Sequence, residues 1–203
     1  MIDYVNYFTV AIAAMSGGLL AARKEMDFLA FIVLGVVTGL GGGTLRDAVL
    51  DVPVFWVENQ NNLLVAIAAS LLAYAIARRE MNGWRRRGII WLDALAMAFF
   101  AASGTMKALG LDTAPIVAIT MGLLTAVAGG LMRDVIAQEI PFILRGEIFA
   151  FAAIGGACAV VLMTYLGLTG LPVLVVGIAV AFTIRALAII YNLQLHVAKR
   201  VDD

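Results

Sequence analysis

Two segments of this sequence decide its fold: GVVTGLGGGTLRD at residues 35–47 and GLLTAVAGGLMRD at residues 122–134. They align without a gap when the chain is shifted by 87 positions, the step from 35 to 122, and six residues are then identical. The identical pairs are Gly35 with Gly122, Thr38 with Thr125, Gly42 with Gly129, Gly43 with Gly130, Arg46 with Arg133 and Asp47 with Asp134. Because the same shift also pairs Ser16 with Ser103 and Gly17 with Gly104, the repeat extends beyond one segment.

The sequence around these segments has the composition of a protein in lipid. Hydrophobic residues make up 63% of its 203 residues and charged residues 14%, with a mean hydropathy of +1.00. A membrane-spanning helix needs about 20 mostly apolar residues. The sequence therefore predicts an all-α membrane protein with a single transmembrane domain over residues 1–203. The seven predicted spans are 6–22, 28–50, 62–77, 89–107, 114–137, 148–168 and 172–192.

The spans form two predicted units of three helices, residues 6–77 and 89–168, followed by an extra helix at 172–192. Three is an odd number, so the second unit should enter the membrane upside down relative to the first. The basic residues outside the spans agree, since ten of them fall on one predicted side and only Lys107 on the other. These ten are Arg23, Lys24, Arg78, Arg79, Arg85, Arg86, Arg87, Arg145, Lys199 and Arg200. The positive-inside rule then predicts an external N-terminus and a cytoplasmic C-terminus.

Glycine clusters interrupt the second and fifth spans, at Gly41, Gly42 and Gly43 and at Gly129 and Gly130. Each glycine inside a helix costs about 1 kcal/mol relative to alanine. The clusters therefore predict kinks, and unwound carbonyl oxygens there could replace part of a cation's hydration shell. The alternative is that the small residues only allow helices to pack closely in the membrane.

An arginine and an aspartate follow each glycine cluster: Arg46 with Asp47, and Arg133 with Asp134. Charges at membrane depth should face protein or water. Adjacent residues on a helix do not face one another, so the sequence predicts that their partners lie on other helices.

The fourth span carries the predicted partners, because Asp93, Ser103 and Lys107 lie on one stripe of that helix. We expect Asp93 to pair with Arg133 and Lys107 with Asp47, although Lys107 could instead reach the lipid headgroups. Arg185 in the seventh span also requires an internal partner.

Other functions find no support in the sequence. It contains no nucleophile with a base, no nucleotide-binding loop and no haem motif, so we predict neither an enzyme nor a cofactor. His196 has no Cys or Glu nearby, which disfavours a metal site. The formal net charge of zero argues against nucleic acid as a partner.

Seven spans, a three-plus-three inverted repeat and the segments GGGTLRD (41–47) and GGLMRD (129–134) resemble prokaryotic trimeric intracellular cation channels. The resemblance implies a homotrimer in the lipid bilayer of a prokaryotic cell (inner or plasma) membrane. It implies a pore through each protomer that conducts potassium with modest selectivity over sodium, lined by kinked second and fifth helices. The Arg-Asp pairs would act as gating or stabilising contacts, and Lys107 would match a lysine that bears on voltage response in animal relatives. Ala128 departs from the pattern, since it stands where the first repeat has Gly41.

Three hypotheses follow. In the first, glycine carbonyls and the hydroxyl groups of Ser16, Thr38, Ser103 and Thr125 line a cation path. In the second, prompted by the glycine-transporter label of this family, the chain carries a small zwitterion whose carboxylate meets Arg46, Arg133 or the dipole at the start of a broken helix. In the third, the polar groups only hold the helices together.

Overall fold

The structure, a computed structural model, describes residues 2–77, 84–144 and 148–194, with backbone alone at residues 2, 3 and 84–86. The helices of these ranges are α1 (Ile2–Arg23), α2 (Phe28–Val49), α3 (Phe55–Glu58), α4 (Asn61–Ala77), α5 (Trp84–Leu109), α6 (Pro115–Ile136), α7 (Phe149–Tyr165) and α8 (Leu171–Ile190), with a 3-10 turn at Phe142–Leu144. Several cations used for orientation, and His196, lie outside the described side chains. These are Arg78, Arg79, Arg85, Arg86, Arg145, Lys199 and Arg200.

Within the described ranges, five helices are long and apolar enough to cross a membrane by length and composition, so this is an all-helical, multi-pass membrane protein. They are Tyr4–Arg23, Phe28–Val49, Arg87–Leu109, Pro115–Ile136 and Leu171–Ile190. Two further apolar helices, α4 and α7, have 17 residues each. That length is at the lower limit of about 17 residues for a spanning helix.

The turns between the helices repeat at the same 87-residue shift as the helices do. Glu25 and Asp112 both adopt a positive φ of 55°, and Asp51 and Gln138 adopt 53° and 54°. A left-handed conformation is uncommon for residues other than glycine. Its recurrence at equivalent positions means that both halves of the chain leave their helices through the same kind of turn.

The helices pack in two groups that meet in the middle. In the first group, α1 contacts α2 and α4; in the second, α5 contacts α6 and α7. The two groups join where α1 packs against α5 and where α2 packs against α6. The last helix, α8, packs on α5 and α7. The contact of α2 with α6 is made by glycine. A Cβ atom at Gly42 would overlap the carbonyl oxygen of Thr125, and one at Gly129 would overlap that of Thr38.

The predicted unwinding at the glycine clusters is wrong. Both α2 and α6 run without a helical break from Phe28 to Val49 and from Pro115 to Ile136. Unwinding would deprive backbone groups of their helical partners, and an unsatisfied backbone group is costly in a membrane. Gly42 and Gly129 instead allow the two backbones to approach, which is the close-packing alternative.

Candidate functional site: two charge clusters and the cavities between them

One cluster of charges joins α1, α5 and α6, and we call Ser16, Asp93, Arg133 and Asp134 the Arg133 cluster. Arg133 Nη1 donates to Asp93 Oδ1 at 2.6 Å and to Ser16 Oγ at 2.5 Å, and Nε donates to Asp134 Oδ1 at 2.8 Å. The Ser16 hydroxyl also donates to Asp93 Oδ1 at 3.2 Å. The Arg133 side chain is only 1% exposed. The predicted Asp93–Arg133 pair is therefore confirmed, as a buried ion pair.

The second cluster joins α2 to α5, and we call Arg46, Asp47 and Lys107 the Arg46 cluster. Asp47 Oδ1 accepts from Arg46 Nε and from Lys107 Nζ, both at 2.8 Å. The Asp47 side chain is fully buried, whereas that of Lys107 is 33% exposed. The predicted Lys107–Asp47 pair is thus confirmed.

The expectation that neighbouring Arg and Asp residues would find partners only on other helices is wrong. Arg46 Nη2 lies 2.7 Å from Asp47 Oδ1, and Arg133 Nε lies 2.8 Å from Asp134 Oδ1. Although adjacent Cβ atoms diverge, an arginine side chain is long enough to curve its guanidinium back to the next carboxylate. Each arginine therefore neutralises the aspartate that follows it.

Both clusters share a feature that the sequence analysis missed: a phenylalanine eight residues beyond each aspartate. Asp47 Oδ2 accepts from the backbone N–H of Phe55 at 3.0 Å, and Asp134 Oδ2 accepts from that of Phe142 at 3.3 Å. The Arg46 guanidinium lies 5.8 Å from the centre of the Phe55 ring, and the Arg133 guanidinium 5.6 Å from that of Phe142. Extending the 87-residue shift into the loops would have paired Phe55 with Phe142.

Arg185 belongs to neither cluster. Its side chain is buried in α8, with the guanidinium 5.1 Å from the centre of the Phe149 ring. This cation–π contact supplies one of the internal partners that a buried arginine requires.

The clusters differ at two equivalent positions. Asn6 is equivalent to Asp93, and Leu20 is equivalent to Lys107. The Arg133 cluster consequently contains one basic and two acidic groups, while the Arg46 cluster contains two basic groups and one acidic group. Their formal charges are −1 and +1.

Three separate cavities, adjacent ones having wall residues in common, lie between the Arg46 and Arg133 clusters. The Arg46 cavity, the largest of these three, has a volume of about 310 Å³ and includes Arg46, Phe100, Ser103 and Lys107 in its wall. A central cavity of about 10 Å³ shares Phe100 with it. A third cavity, also about 10 Å³, lies at the Arg133 cluster and shares Asp93 and Gly130 with the central one. A space of roughly 10–15 Å³ holds one water, so the interior narrows sharply away from the Arg46 cavity.

The four hydroxyl residues occupy different parts of this series. Ser103 lines the Arg46 cavity, and Thr38 and Thr125 line the central one. The two threonine hydroxyls donate to carbonyls of their own helices, at Leu34 and Met121. Ser16 is held in the Arg133 cluster.

The glycines are similarly divided. Gly43 lines the Arg46 cavity, while Gly129 and Gly130 line the central cavity. Gly41 faces α6, where an added Cβ would lie 3.1 Å from Met132 Sδ. Within the described ranges, no group of three or more His, Cys, Asp or Glu side chains could hold a metal ion.

These observations define a class: a multi-pass helical membrane protein with buried ion pairs along an interior series of cavities. A family model described as "Glycine transporter" matches the chain twice, at residues 3–78 and 90–165. The UPF0126 inner membrane protein YadS of Escherichia coli K12 is 39% identical over 199 residues, covering 96% of this chain and 95% of YadS. The chain therefore belongs to the UPF0126 family of membrane proteins, and it matches the glycine-transporter family model.

Solved structures extend the comparison. The TRIC trimeric intracellular cation channel orthologue from Rhodobacter sphaeroides has a TM-score of 0.89 and 40% identity, covering 94% of this chain and 98% of that one. A prokaryotic TRIC channel solved in 0.5 M KCl gives a TM-score of 0.88 at 27% identity, covering 95% and 98%. The fold is thus that of the TRIC channels, which are ion channels and not enzymes.

Proposed function

We propose that this protein is a passive channel for monovalent cations, chiefly potassium, with one pore inside each protomer. The observation that carries the proposal is the row of cavities from the Arg46 cluster to the Arg133 cluster, whose walls are formed by residues of one chain. The solved relatives named as cation channels support the same function.

We further propose that the described conformation is closed at the Arg133 cluster. A cavity of about 10 Å³ there has no room for a hydrated cation. Asp93 and Arg133 bridge α5 to α6, and Ser16 adds α1 to the same hydrogen-bonded unit. Separating Asp93 from Arg133 would widen the path and free a carboxylate for a passing cation, so these residues would form the gate.

The assembly and orientation form part of the proposal. Seven spans would comprise an inverted repeat, residues 6–77 and 89–168, and the helix at 172–192, in a homotrimer of the bacterial inner membrane. The repeat is supported by three observations: the family model matches the chain twice, the same turns recur in both halves, and so do the Asp–Phe contacts. Among described residues, Arg23, Lys24 and Arg87 would mark the cytoplasmic side.

The channel proposal is tested by reconstituting the purified protein in a planar bilayer with potassium chloride. We expect unitary potassium currents, and we expect Asp93→Asn to raise the open probability about tenfold, the change that a loss of 1.4 kcal/mol in the closed-state contact produces. Asp112→Asn, which removes an exposed carboxylate in a loop, is the matched control and should leave the open probability unchanged.

A carrier for a glycine-like zwitterion is the second candidate, because the matching family model is described as a glycine transporter. A carrier would give saturable uptake of labelled glycine into proteoliposomes without resolved openings. A silent bilayer together with such uptake would reverse the ranking. If the folded protein shows neither potassium currents nor glycine uptake, the charge clusters serve only as structural contacts.

A further inference from the structure

The Arg46 cavity has the features of a ligand site rather than those of a simple vestibule. Its volume of about 310 Å³ falls at the lower end of the range of small-molecule pockets, about 300–1,000 Å³. Four polar residues converge on it, namely Asn6, Arg46, Ser103 and Lys107. The remaining wall is mainly apolar and includes Val10, Phe100, Met106 and Leu174. A few convergent polar groups in an apolar wall are typical of sites that orient a small amphiphilic molecule.

The charge of this cavity favours an anion over a cation as a bound ligand, as distinct from an ion in transit. Arg46 and Lys107 both line it, and the single carboxylate that they share, Asp47, is fully buried behind them. Asn6 adds an amide and Ser103 a hydroxyl, neither of which carries charge. The described side chains of the wall therefore present a net positive charge to whatever enters.

The Arg133 cluster shows which chemical group would complete the Arg46 cavity. Arg133 Nη1 binds Asp93 and Ser16, whereas the described hydrogen bonds of Arg46 use Nε and Nη2, both directed to Asp47. Ser103 is equivalent to Ser16, but the residue equivalent to Asp93 is Asn6. The Arg46 cavity is therefore lined by the donors of the Arg133 cluster and lacks the carboxylate of Asp93.

We propose that the Arg46 cavity binds a small organic anion, a monocarboxylate with an apolar body of about five carbons. The carboxylate would take the place equivalent to that of the Asp93 carboxylate, accepting from Arg46, Lys107 and Ser103. The apolar body would lie against Phe100, Met106 and Leu174. A zwitterion such as glycine fits less well, because its ammonium group would face two cations and it has no apolar body for the wall.

A binding experiment tests this independently of transport. The wild-type protein, in nanodiscs of zwitterionic lipid, is titrated with hexanoate by isothermal titration calorimetry. Hexan-1-ol and hexylammonium supply the same body without the negative charge, and glycine supplies a carboxylate without the body. We expect hexanoate to bind at least tenfold more tightly than any of these three. Equal binding of hexan-1-ol and hexanoate would overturn the proposal.

Asn6→Asp is the decisive variant, because it gives the Arg46 cavity the carboxylate that Asp93 supplies in the other half. We expect it to weaken hexanoate binding at least tenfold, while Asn6→Gln, which keeps the amide, retains it. Lys107→Gln supplies a second test if Asn6→Asp does not fold, again with a tenfold loss. Wild-type affinity in either folded charge variant would refute the site.

The carboxylate could come from the aqueous phase or from a membrane fatty acid. Hexadecanoate incorporated in the nanodisc lipid distinguishes the sources, since a site open to the bilayer should let it compete with hexanoate, whereas a site open only to water should not. Because the calorimetry measures binding, the absence of currents in a planar bilayer would contradict the channel proposal without affecting the anion site. Likewise, the absence of hexanoate binding would contradict the anion site without affecting the channel proposal.

Discussion

The Arg46 and Arg133 clusters are built on the same frame, yet one borders a cavity of about 310 Å³ and the other is nearly filled. Both place an arginine against the next aspartate and fix that aspartate with the backbone N–H of a phenylalanine. The charged groups of the two clusters differ by two exchanges, Asn6 for Asp93 and Lys107 for Leu20. The repeat therefore supplies the contacts that both ends share, while the side chains that differ between the halves distinguish the open end from the filled one.

Asp93 is the acidic residue that distinguishes the Arg133 cluster from the Arg46 cluster. Its carboxylate accepts hydrogen bonds from Arg133 Nη1 and from the Ser16 hydroxyl, and so lies between α1, α5 and α6. Because Asn6 is neutral, it cannot balance the second cation in the other half, and Lys107 takes a place on Asp47 instead. Each cluster has two ion pairs, but the arginine of the sealed end is 1% exposed, whereas the lysine of the other end is 33% exposed.

The largest expected effect comes from removing each arginine. Arg133→Met leaves Asp93 and Asp134 buried without a cation, which should cost about 3–5 kcal/mol of unfolding free energy. In Arg46→Met, Asp47 keeps Lys107 and the Phe55 N–H, so we expect a loss of about 1.5–3 kcal/mol. Titration with SDS in mixed micelles measures both. Equal losses would show that the extra contacts of Arg133 do not matter to stability.

A smaller effect is expected at the crossing of α2 and α6. Gly129→Ala places a methyl group on the carbonyl of Thr38 and should cost about 1–3 kcal/mol, as overpacked sites do. The neighbouring Gly130→Ala is the control, because its new Cβ would lie 3.6 Å from Arg133 Nη2, an ordinary contact. Thermal unfolding followed by size-exclusion chromatography separates the two. If Gly130→Ala proved as harmful as Gly129→Ala, close packing would not explain these glycines.

The smallest effect concerns the aromatic rings beside the arginines. Phe55→Leu and Phe142→Leu keep the backbone N–H that binds each aspartate but remove the cation–π contact. Each should lose about 0.5–2 kcal/mol in the SDS titration, with the larger loss at Phe142 because Arg133 is the more deeply buried cation. A larger loss at Phe55 would reverse the expected order of the two ends.

Much of this arrangement could be predicted from sequence. The pairs of Asp93 with Arg133 and Lys107 with Asp47 follow from the polar stripe of one helix, because buried charges need partners. Two further relations could also have been predicted, because the same 87-residue shift aligns Phe55 with Phe142 and Asn6 with Asp93.

Other features could not be predicted in this way. A glycine cluster is compatible with both unwinding and close approach, and only the position of Thr125 beside Gly42 distinguishes them. The rule that adjacent helical residues diverge describes Cβ directions and fails for a side chain as long as that of Arg46. Cavity size depends on how three helices pack around Asp93, which no local pattern contains.

The difference between the two ends is tested most directly by the reactivity of their equivalent serines. In a background with Cys158→Ala, which removes an exposed native thiol, Ser103→Cys and Ser16→Cys are each exposed to an uncharged, water-soluble methanethiosulfonate reagent. The account predicts modification of residue 103 at least tenfold faster than that of residue 16, with Asp93→Asn narrowing the gap. Equal rates, or faster modification at residue 16, would contradict it.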